Sequence, residues 1–243
     1  MSSRLAPKLL MEFVGTFAFV LIGAGAAAVV GDSIGVPAVA AIALAHGLTI
    51  VAFAFSYGPV SGGHMNPAVT VGALAVGAIR PGEAAGYVLS QLAGGIMGAL
   101  VLRGVLGGTA TGLGTPVLAH QLSVGLTTLS ITPLAGFAIE AVLGFLLVTV
   151  VLNTAIAGRA GILAPLAIGL TVTLNIIMGG PLTGAAFNPA RALGPMVATG
   201  TFTNVWLYLT APLLGALAAA LLHKGIGRLV DDQPIAVPSR PAE

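Results

Sequence analysis

The chain has 243 residues, of which 57% are apolar and only 7% are charged, whereas an average soluble domain carries about 25% charged residues. So few charges cannot cover a water-exposed surface, which excludes a soluble protein and predicts an integral membrane protein. The formal charge of +2 comes from scattered residues without a basic run, which excludes a nucleic-acid surface, and the absence of cysteine excludes disulfides and thiol chemistry.

Six apolar segments are predicted to be membrane-spanning helices, because each approaches the ~20 residues that a ~30 Å hydrocarbon core demands. They run roughly over 9–30, 37–57, 84–105, 132–154, 161–179 and 203–223. The first follows Arg4 and Lys8, as the apolar run of a signal peptide does, but Glu12 inside it argues against a cleaved leader. Residues 226–243, with Asp231, Asp232 and several prolines, are predicted to form a solvated tail.

Two shorter apolar stretches, at about 67–78 and 189–199, are too short to span and too apolar to be loops. A helix of about eleven residues is about 16 Å long, which is half of a membrane. The stretches start at Asn66-Pro67-Ala68 and at Asn188-Pro189-Ala190. Asparagine is a favoured N-cap and proline is favoured in the first helical turn, so each motif predicts a helix start. We therefore predict two re-entrant half-helices.

The two motifs belong to an internal repeat with a spacing of 122 residues, which also pairs Gly47-Leu48-Thr49 with Gly169-Leu170-Thr171. Each copy, about 8–105 and about 132–225, is predicted to form helix, helix, half-helix and helix within a single transmembrane domain. Three spans per copy is an odd number, so the second copy enters the membrane inverted, and the two half-helix N-termini meet near the midplane.

The positive charges predict the orientation, because lysine and arginine are enriched in cytoplasmic loops. Arg103 and Arg191 fall on one side of the predicted spans. The side on which the termini lie carries the other seven lysine and arginine residues: Arg4, Lys8, Arg80, Arg159, Lys224, Arg228 and Arg240. Both termini are therefore predicted to be cytoplasmic, in a multi-pass protein of the cell membrane.

The two motifs predict a binding point for a neutral molecule. Each half-helix N-terminus carries about +0.5 charge. The side-chain amides of Asn66 and Asn188 keep their N–H donors free after capping, which suits a neutral hydrogen-bond acceptor and repels cations. The extended residues before each motif have carbonyls that no helix uses, and membrane depth tolerates them only along a water-filled path. The predicted pore-lining carbonyls are those of Gly62, Gly63, His64, Gly184 and Ala186.

Glu12 and Glu140 lie inside predicted spans, where carboxylates are costly. Either they relay protons, as in a transporter, or they accept hydrogen bonds from the backbone before each half-helix and hold its carbonyls toward the pore. Their similar placement in the two copies favours the structural role. A pump would also need an energy source, and no phosphate-binding GxxxxGK[ST] loop occurs in the sequence.

HMNPAVT and FNPARA, in this six-span frame, resemble the aquaporin (major intrinsic protein) family over essentially residues 8–225. The resemblance implies an all-α membrane protein with six transmembrane helices and two re-entrant half-helices in an inverted repeat. It also implies a passive channel in the lipid bilayer that is not an enzyme, needs no cofactor or metal, binds no nucleic acid and assembles as a homotetramer.

The resemblance further implies an extracellular constriction of four residues, placed by their distance from the motifs: His46, Ile176, Ala185 and Arg191. The arginine stays charged and offers five donors, which suits water oxygens and repels cations. The set departs from water-selective members, which have an aromatic residue first and a histidine on the fifth span, and from glycerol facilitators. It is most similar to plant vacuolar-membrane aquaporins, some of which pass ammonia.

Three histidines have two interpretations each. His46 is either part of the constriction or a packed helix contact, and His64 either lines the cytoplasmic half or supports the turn before Asn66. His120, in the third connection, either reaches the pore mouth, as a loop histidine does in vacuolar-membrane aquaporins, or is an ordinary loop residue.

The predicted function is a passive water channel that excludes protons and ions, and ammonia, glycerol or other small neutral solutes are the alternative permeants. Two rivals come from other classes. A membrane-junction protein with a nearly closed pore would leave water permeability near that of bare lipid. A proton-coupled transporter would show saturation and dependence on a pH gradient.

Overall fold

Nine α-helices account for most of the residues that the computed structural model describes, which are 5–30 and 36–231. In chain order the helices are α1 (Leu5–Phe19), α2 (Gly25–Val30), α3 (Val36–Ser61), α4 (Pro67–Ala75), α5 (Pro81–Val105), α6 (Pro133–Val151), α7 (Ala164–Thr183), α8 (Pro189–Thr199) and α9 (Val205–Asp231). Two π-helical turns, Val20–Ala24 and Leu152–Ile156, continue α1 and α6, and 3-10 turns lie at Gly112–Gly114 and Gly161–Leu163. In a small hairpin, β1 (Leu122–Val124) pairs antiparallel with β2 (Thr127–Leu129), with Leu122 opposite Leu129.

Within the described residues, six helical stretches are long and apolar enough to cross a membrane, which confirms the predicted spans. α3 and α7 end later than predicted, because both continue through a Gly-Pro pair and keep Pro59 and Pro181 inside the helix. A proline inside a helix removes one hydrogen bond. An extended segment at membrane depth would instead expose several backbone groups, which explains why the helices do not stop there.

The last helix also continues past its predicted end. α9 reaches Asp231, so residues 226–231 are helical, where the sequence predicts a solvated tail. The first proline after this stretch is Pro234, so no proline interrupts the helix at 226–231. Residues 1–4, 31–35 and 232–243, and with them the charges of Arg4 and Arg240, lie outside the described residues.

The helices of the two repeats pack in corresponding pairs. α1 packs against α5 in the first repeat and α6 against α9 in the second, while α3 and α7 contact each other between the repeats. The half-helices cross over, because α4 packs against α9 and α8 packs against α5. Each half-helix thus packs against the last helix of the opposite repeat, and the two repeats make this contact in the same way.

Glycine lets these helix pairs approach closely. A Cβ at Gly94 of α5 would lie 2.3 Å from the carbonyl oxygen of Phe13 on α1, and a Cβ at Gly215 of α9 would lie 2.0 Å from that of Ala141 on α6. A side chain at either position would separate the helices. These two crossings are therefore of the small-residue type that membrane helices favour.

The connection between α5 and α6 folds over the end of the bundle where α7 finishes. The backbone N–H of Ala119 donates to the carbonyl of Leu182 at 2.9 Å. Leu113, in the 3-10 turn, is fully buried in a cluster with Val20 and Ala198. This loop is therefore packed into the helix bundle at that end.

Candidate functional site

The two Asn-Pro-Ala motifs begin the half-helices. Asn66 and Asn188 are extended, with φ of −157° and −146°, and the proline after each is the first helical residue. The Oδ1 atom of Asn66 accepts a hydrogen bond from the N–H of Ala68 at 2.8 Å, and that of Asn188 accepts from Ala190 at 3.0 Å and Arg191 at 3.2 Å. Both asparagines are thus N-caps that satisfy the first-turn donors.

The two motifs also bind each other. Asn66 Nδ2 donates to the carbonyl of Phe187 at 3.1 Å, and Asn188 Nδ2 donates to the carbonyl of Met65 at 2.9 Å. The sequence predicts that both side-chain amides are free after capping, and the structure contradicts this for one hydrogen of each. An amide NH2 has two hydrogens, so one N–H per asparagine remains for another acceptor.

A buried glutamate holds the segment before the first motif. Glu12, which is 0% exposed, accepts through Oε1 from Ser61 Oγ at 2.7 Å and from the N–H of His64 at 2.9 Å. Its Oε2 accepts from the N–H of Met65 at 2.6 Å and from Gln91 Nε2 at 2.7 Å. In a trans peptide the C=O points opposite to the N–H, so the carbonyls of Gly63 and His64 point away from the carboxylate.

Glu140 does the same before the second motif and is also 0% exposed. Its Oε1 accepts from Thr183 Oγ1 at 2.6 Å and from the N–H of Ala186 at 2.9 Å, and its Oε2 accepts from the N–H of Phe187 at 2.6 Å. The carbonyls of Ala185 and Ala186 consequently point away from Glu140.

Two tyrosines, which were not among the predicted site residues, complete these two supports. Tyr87 donates its hydroxyl to the carbonyl of Ser61 at 2.6 Å, and Tyr208 donates to that of Thr183 at 2.8 Å. The hydroxyl of Ser61 also accepts a hydrogen bond from the N–H of Gly63, and that of Thr183 accepts one from the N–H of Ala185, each at 3.1 Å. The internal repeat could have indicated them, because the two tyrosines lie 121 residues apart and Ser61 and Thr183 lie 122 apart, close to or equal to the repeat spacing.

An inner cavity of about 530 Å³ opens at the end of the bundle where α3 finishes and α7 begins. Its polar wall holds five of the predicted residues, namely Gly62, Gly63, His64, Asn66 and Asn188. The remaining wall is mostly apolar, with Phe19, Val69 and Val172 among its residues. His64 both lines this cavity and bonds Thr70 Oγ1 through Nδ1 at 3.1 Å, so the structure supports both interpretations of this histidine.

An outer cavity of about 610 Å³ lies at the opposite ends of α3 and α7. His46, Ile176, Gly184 and Arg191 line it. Hydroxyl groups are frequent in its wall, which includes Thr109, Thr111, Thr115, Thr199 and Thr201. The cavity therefore brings together three of the four residues predicted for the constriction.

Arg191 is 3% exposed, and its Nη1 donates to the carbonyl of Gly114 at 2.9 Å. Its Nε has no hydrogen-bond partner within residues 5–30 and 36–231. His46 is 1% exposed, with Nδ1 2.9 Å from the carbonyl of Ile42 and its ring edge-on to Phe19. His46 is thus a packed histidine that also lines the outer cavity.

Three of the residues that were predicted to line the path are not in the wall of either cavity. Ala185 and Ala186 are buried and line neither cavity, although Ala185 follows Gly184, which does. His120 is exposed and does not line the outer cavity. The loop instead contributes the carbonyl of Gly114, which lies in the 3-10 turn Gly112–Gly114, as an acceptor for Arg191.

A sequence model described as major intrinsic protein matches residues 1–223. The chain belongs to the major intrinsic protein family. This confirms the resemblance, and because members of the family are channels, the chain is a channel protein and not an enzyme.

Named relatives of this major intrinsic protein include several plant aquaporins. The probable aquaporin TIP3-2 of Arabidopsis thaliana is 40% identical over 230 residues, which cover 88% of this chain and 81% of that protein. Aquaporin NIP1-1 of the same plant is 35% identical over 222 residues, with 90% and 73% covered. The crystal structure of the aquaglyceroporin from Plasmodium falciparum superposes with a TM-score of 0.78 at 25% identity, covering 93% of this chain and 99% of that chain.

Proposed function

We propose that this major intrinsic protein is a passive water channel that excludes protons and ions. The reciprocal bonds from Asn66 to Phe187 and from Asn188 to Met65 carry the proposal. They bring two helix N-termini, each with about +0.5 charge, to one point beside the inner cavity. Two amide N–H groups remain there, so the junction favours a neutral hydrogen-bond acceptor and repels cations.

The proposed path connects the inner and outer cavities. Phe19 lines the inner cavity and His46 lines the outer one, and their ring centroids are only 5.3 Å apart. We propose that the constriction lies in this layer and is formed by His46, Ile176, Ala185 and Arg191. The buried charge of Arg191 supports cation exclusion at this end, because charges interact more strongly in a low-dielectric environment than in water.

The buried carboxylates support a channel over a proton-coupled transporter. The oxygens of Glu12 accept four hydrogen bonds and those of Glu140 accept three, all from donors that face the carboxylates. A proton relay would have to break this set at each transfer, at about 1–3 kcal/mol for each buried donor left unsatisfied. We therefore assign both residues a structural role, in which they direct carbonyls toward the path.

Ammonia or another small neutral solute is the second candidate permeant. Ile176 is an aliphatic part of the outer wall, and five threonines of that cavity offer hydroxyls to polar solutes. The named relatives include TIP and NIP aquaporins and an aquaglyceroporin. Both the wall and the relatives are compatible with solutes larger than water.

The test is permeability in one proteoliposome preparation. We expect stopped-flow light scattering to show water flux several-fold above that of empty liposomes, with no proton flux in a pH-dye assay on the same vesicles. Ammonia and glycerol, measured in parallel, decide between the two candidates. Water flux at the level of bare lipid would contradict the channel proposal and favour the junction protein.

We also propose the orientation that the charges predict, with both termini in the cytoplasm and the two repeats in one domain. We propose as well the homotetramer in the cell membrane that the family resemblance implies. Lys8, Arg80, Arg159 and Lys224 lie at the inner-cavity end of the helices, which supports a cytoplasmic assignment for that end. Protease protection of a C-terminal tag in sealed vesicles and the mass of the detergent-purified particle test the two parts separately.

A further inference from the structure

His46 occupies space that a side chain on the first span would need. Gly23 lies in the π-helical turn Val20–Ala24. A Cβ placed on Gly23 would lie 2.3 Å from His46 Cδ2, 2.5 Å from Nε2 and 2.7 Å from Cγ. Carbon atoms in favourable contact lie about 3.5–4.0 Å apart. The imidazole therefore rests directly on the backbone of this glycine.

Two further contacts hold the ring of His46, one from Ile42 and one from Phe19. Nδ1 lies 2.9 Å from the carbonyl oxygen of Ile42, and because a carbonyl only accepts, Nδ1 carries the ring proton. Phe19 meets the ring edge-on, with a centroid distance of 5.3 Å and an interplanar angle of 79°. The outer cavity, which His46 lines together with Ile176 and Arg191, is the open side toward which the ring can move.

We propose that Gly23 is a specificity-determining positioning residue of the constriction. By lacking a side chain, it lets the imidazole of His46 lie back against the first span, and so it sets the free width opposite Arg191. π-helical turns occur frequently at functional sites, and here the turn carries the glycine that the histidine needs. The inference rests on the proposed channel function and adds to it the residue that controls solute size.

The Gly23→Ala substitution tests this directly. The added methyl group displaces the imidazole toward the outer cavity, which narrows the constriction. We expect water permeability to fall about tenfold, which corresponds to about 1.4 kcal/mol of added barrier and lies within the usual cost of overpacking. The flux of any larger solute that the unmodified channel passes should fall by a larger factor, so the solute-to-water ratio decreases.

Gly25→Ala is the matched control. Gly25 lies two residues further on in the same span, and a Cβ there would meet only Leu102, at 3.4 Å, which is an ordinary contact. This variant should keep the permeability and the solute-to-water ratio of the unmodified channel. Equal ratios in Gly23→Ala, Gly25→Ala and the unmodified protein would overturn the inference while leaving the channel function intact. Water flux at the bare-lipid level in the unmodified protein would instead contradict the function.

A double variant tests whether the methyl group of Gly23→Ala acts by displacing the ring of His46. In a His46→Ala background no ring remains to be displaced, so Gly23→Ala should change the permeability less than twofold. An undiminished effect in that background would place its cause in the helix and contradict our assignment. If Gly23→Ala alone does not fold, recovery of the folded protein by His46→Ala supports the contact, and failure to recover it counts against the contact.

Discussion

The segments before Asn66 and before Asn188 are supported by matching sets of side chains in the two repeats. In each, a buried glutamate accepts two backbone N–H bonds and one hydroxyl bond, and a tyrosine donates to the carbonyl of the residue that carries that hydroxyl. The sets are Glu12, Ser61 and Tyr87 in the first repeat, and Glu140, Thr183 and Tyr208 in the second.

The side chains around the two supports differ. In the first repeat, Gln91 Nε2 donates to Glu12 Oε2 at 2.7 Å and to Thr70 Oγ1 at 3.0 Å, and Thr70 in turn contacts His64. The corresponding positions of the second repeat carry no hydrogen-bonding side chain, since they are Ala186, Ala192 and Pro212. The second repeat has a charge instead, because Arg191 stands where the first has Val69.

This difference separates what the fold needs from what the path needs. Backbone groups inside a membrane must be satisfied wherever a half-helix enters, so the glutamate supports occur in both repeats. Charge and polarity are free to differ, and they do: Val69 lines the inner cavity and Arg191 the outer one. We therefore expect changes in the supports to affect folding, and changes around them to affect selectivity.

The largest expected effect is the removal of a glutamate support. Glu12→Ala leaves four buried donors unsatisfied and Glu140→Ala leaves three, at about 1–3 kcal/mol each. Both variants should lose most of the folded protein, and Glu12→Ala should be the less stable. Thermal unfolding in detergent, followed by size-exclusion chromatography, measures the difference.

Glu83→Ala is the control, since this carboxylate forms an accessible ion pair with Lys8 at 2.7 Å and such pairs contribute about 0–1 kcal/mol. A thermal midpoint of Glu12→Ala equal to that of Glu83→Ala would show that the buried glutamate does not hold the segment.

Next in size is the loss of the charge that distinguishes the second repeat. Arg191→Val gives the second motif the residue of the first. We expect proton and sodium leakage to rise at least about tenfold, since removal of about 1.4 kcal/mol of barrier has that effect, while water flux persists. Arg103→Val is matched, because Arg103 donates to the carbonyl of Ala198 and lines neither described cavity. Equal leakage in the two variants would contradict the assignment.

A smaller and symmetric effect is expected from the asparagines. Asn66→Asp and Asn188→Asp each replace an amide donor by a carboxylate oxygen that faces a carbonyl, and each adds a negative charge near the helix ends. Cation exclusion should weaken by a similar factor in both, and further in the double variant. Asn175→Asp breaks a comparable buried bond, to Leu143 at 2.9 Å, away from the junction, and should leave exclusion unchanged. Unaltered exclusion in the double variant would refute the junction mechanism.

The smallest expected effect tests how equal the two supports are. Tyr87→Phe and Tyr208→Phe each remove one hydroxyl bond, worth about 0.5–1.5 kcal/mol, and should lower the thermal midpoint by similar amounts. Tyr57→Phe is the control, since no hydroxyl bond of Tyr57 occurs among the described residues. A loss confined to one of the two repeats would show that the supports are not equivalent.

Local signals explain which parts of the fold the sequence predicts well. α8 runs over Pro189–Thr199 as predicted, because Asn188 starts it and Gly200, with φ of 75°, ends it. α4 ends at Ala75, three residues before the predicted 78. The two π-helical turns have no local signature, since their sequences VLIGA and LNTAI resemble the rest of the spans.

Contacts between distant parts of the chain explain what the sequence did not reveal at the site. The reciprocal asparagine bonds join residues 121 and 123 positions apart, and no local pattern indicates which carbonyl an amide will find. The contact of Gly23 with His46 joins two spans. Glycines in apolar helices approach many different neighbours, so the sequence does not indicate which contact a given glycine makes. His120 was one candidate for the loop residue at the outer cavity, but Gly114 lines that cavity and its carbonyl binds Arg191. The path of a long loop depends on what it packs against, so local sequence does not predict it.

The reciprocal bonds between the motifs also limit how the protein can be synthesised. The amide of Asn66 needs the carbonyl of Phe187, and that carbonyl does not exist until the ribosome has added another 121 residues. The first half-helix, α4, therefore cannot form its final hydrogen bonds while the nascent chain contains only the first repeat. The amide of Asn66 therefore lacks this acceptor until translation of the second repeat supplies the carbonyl of Phe187.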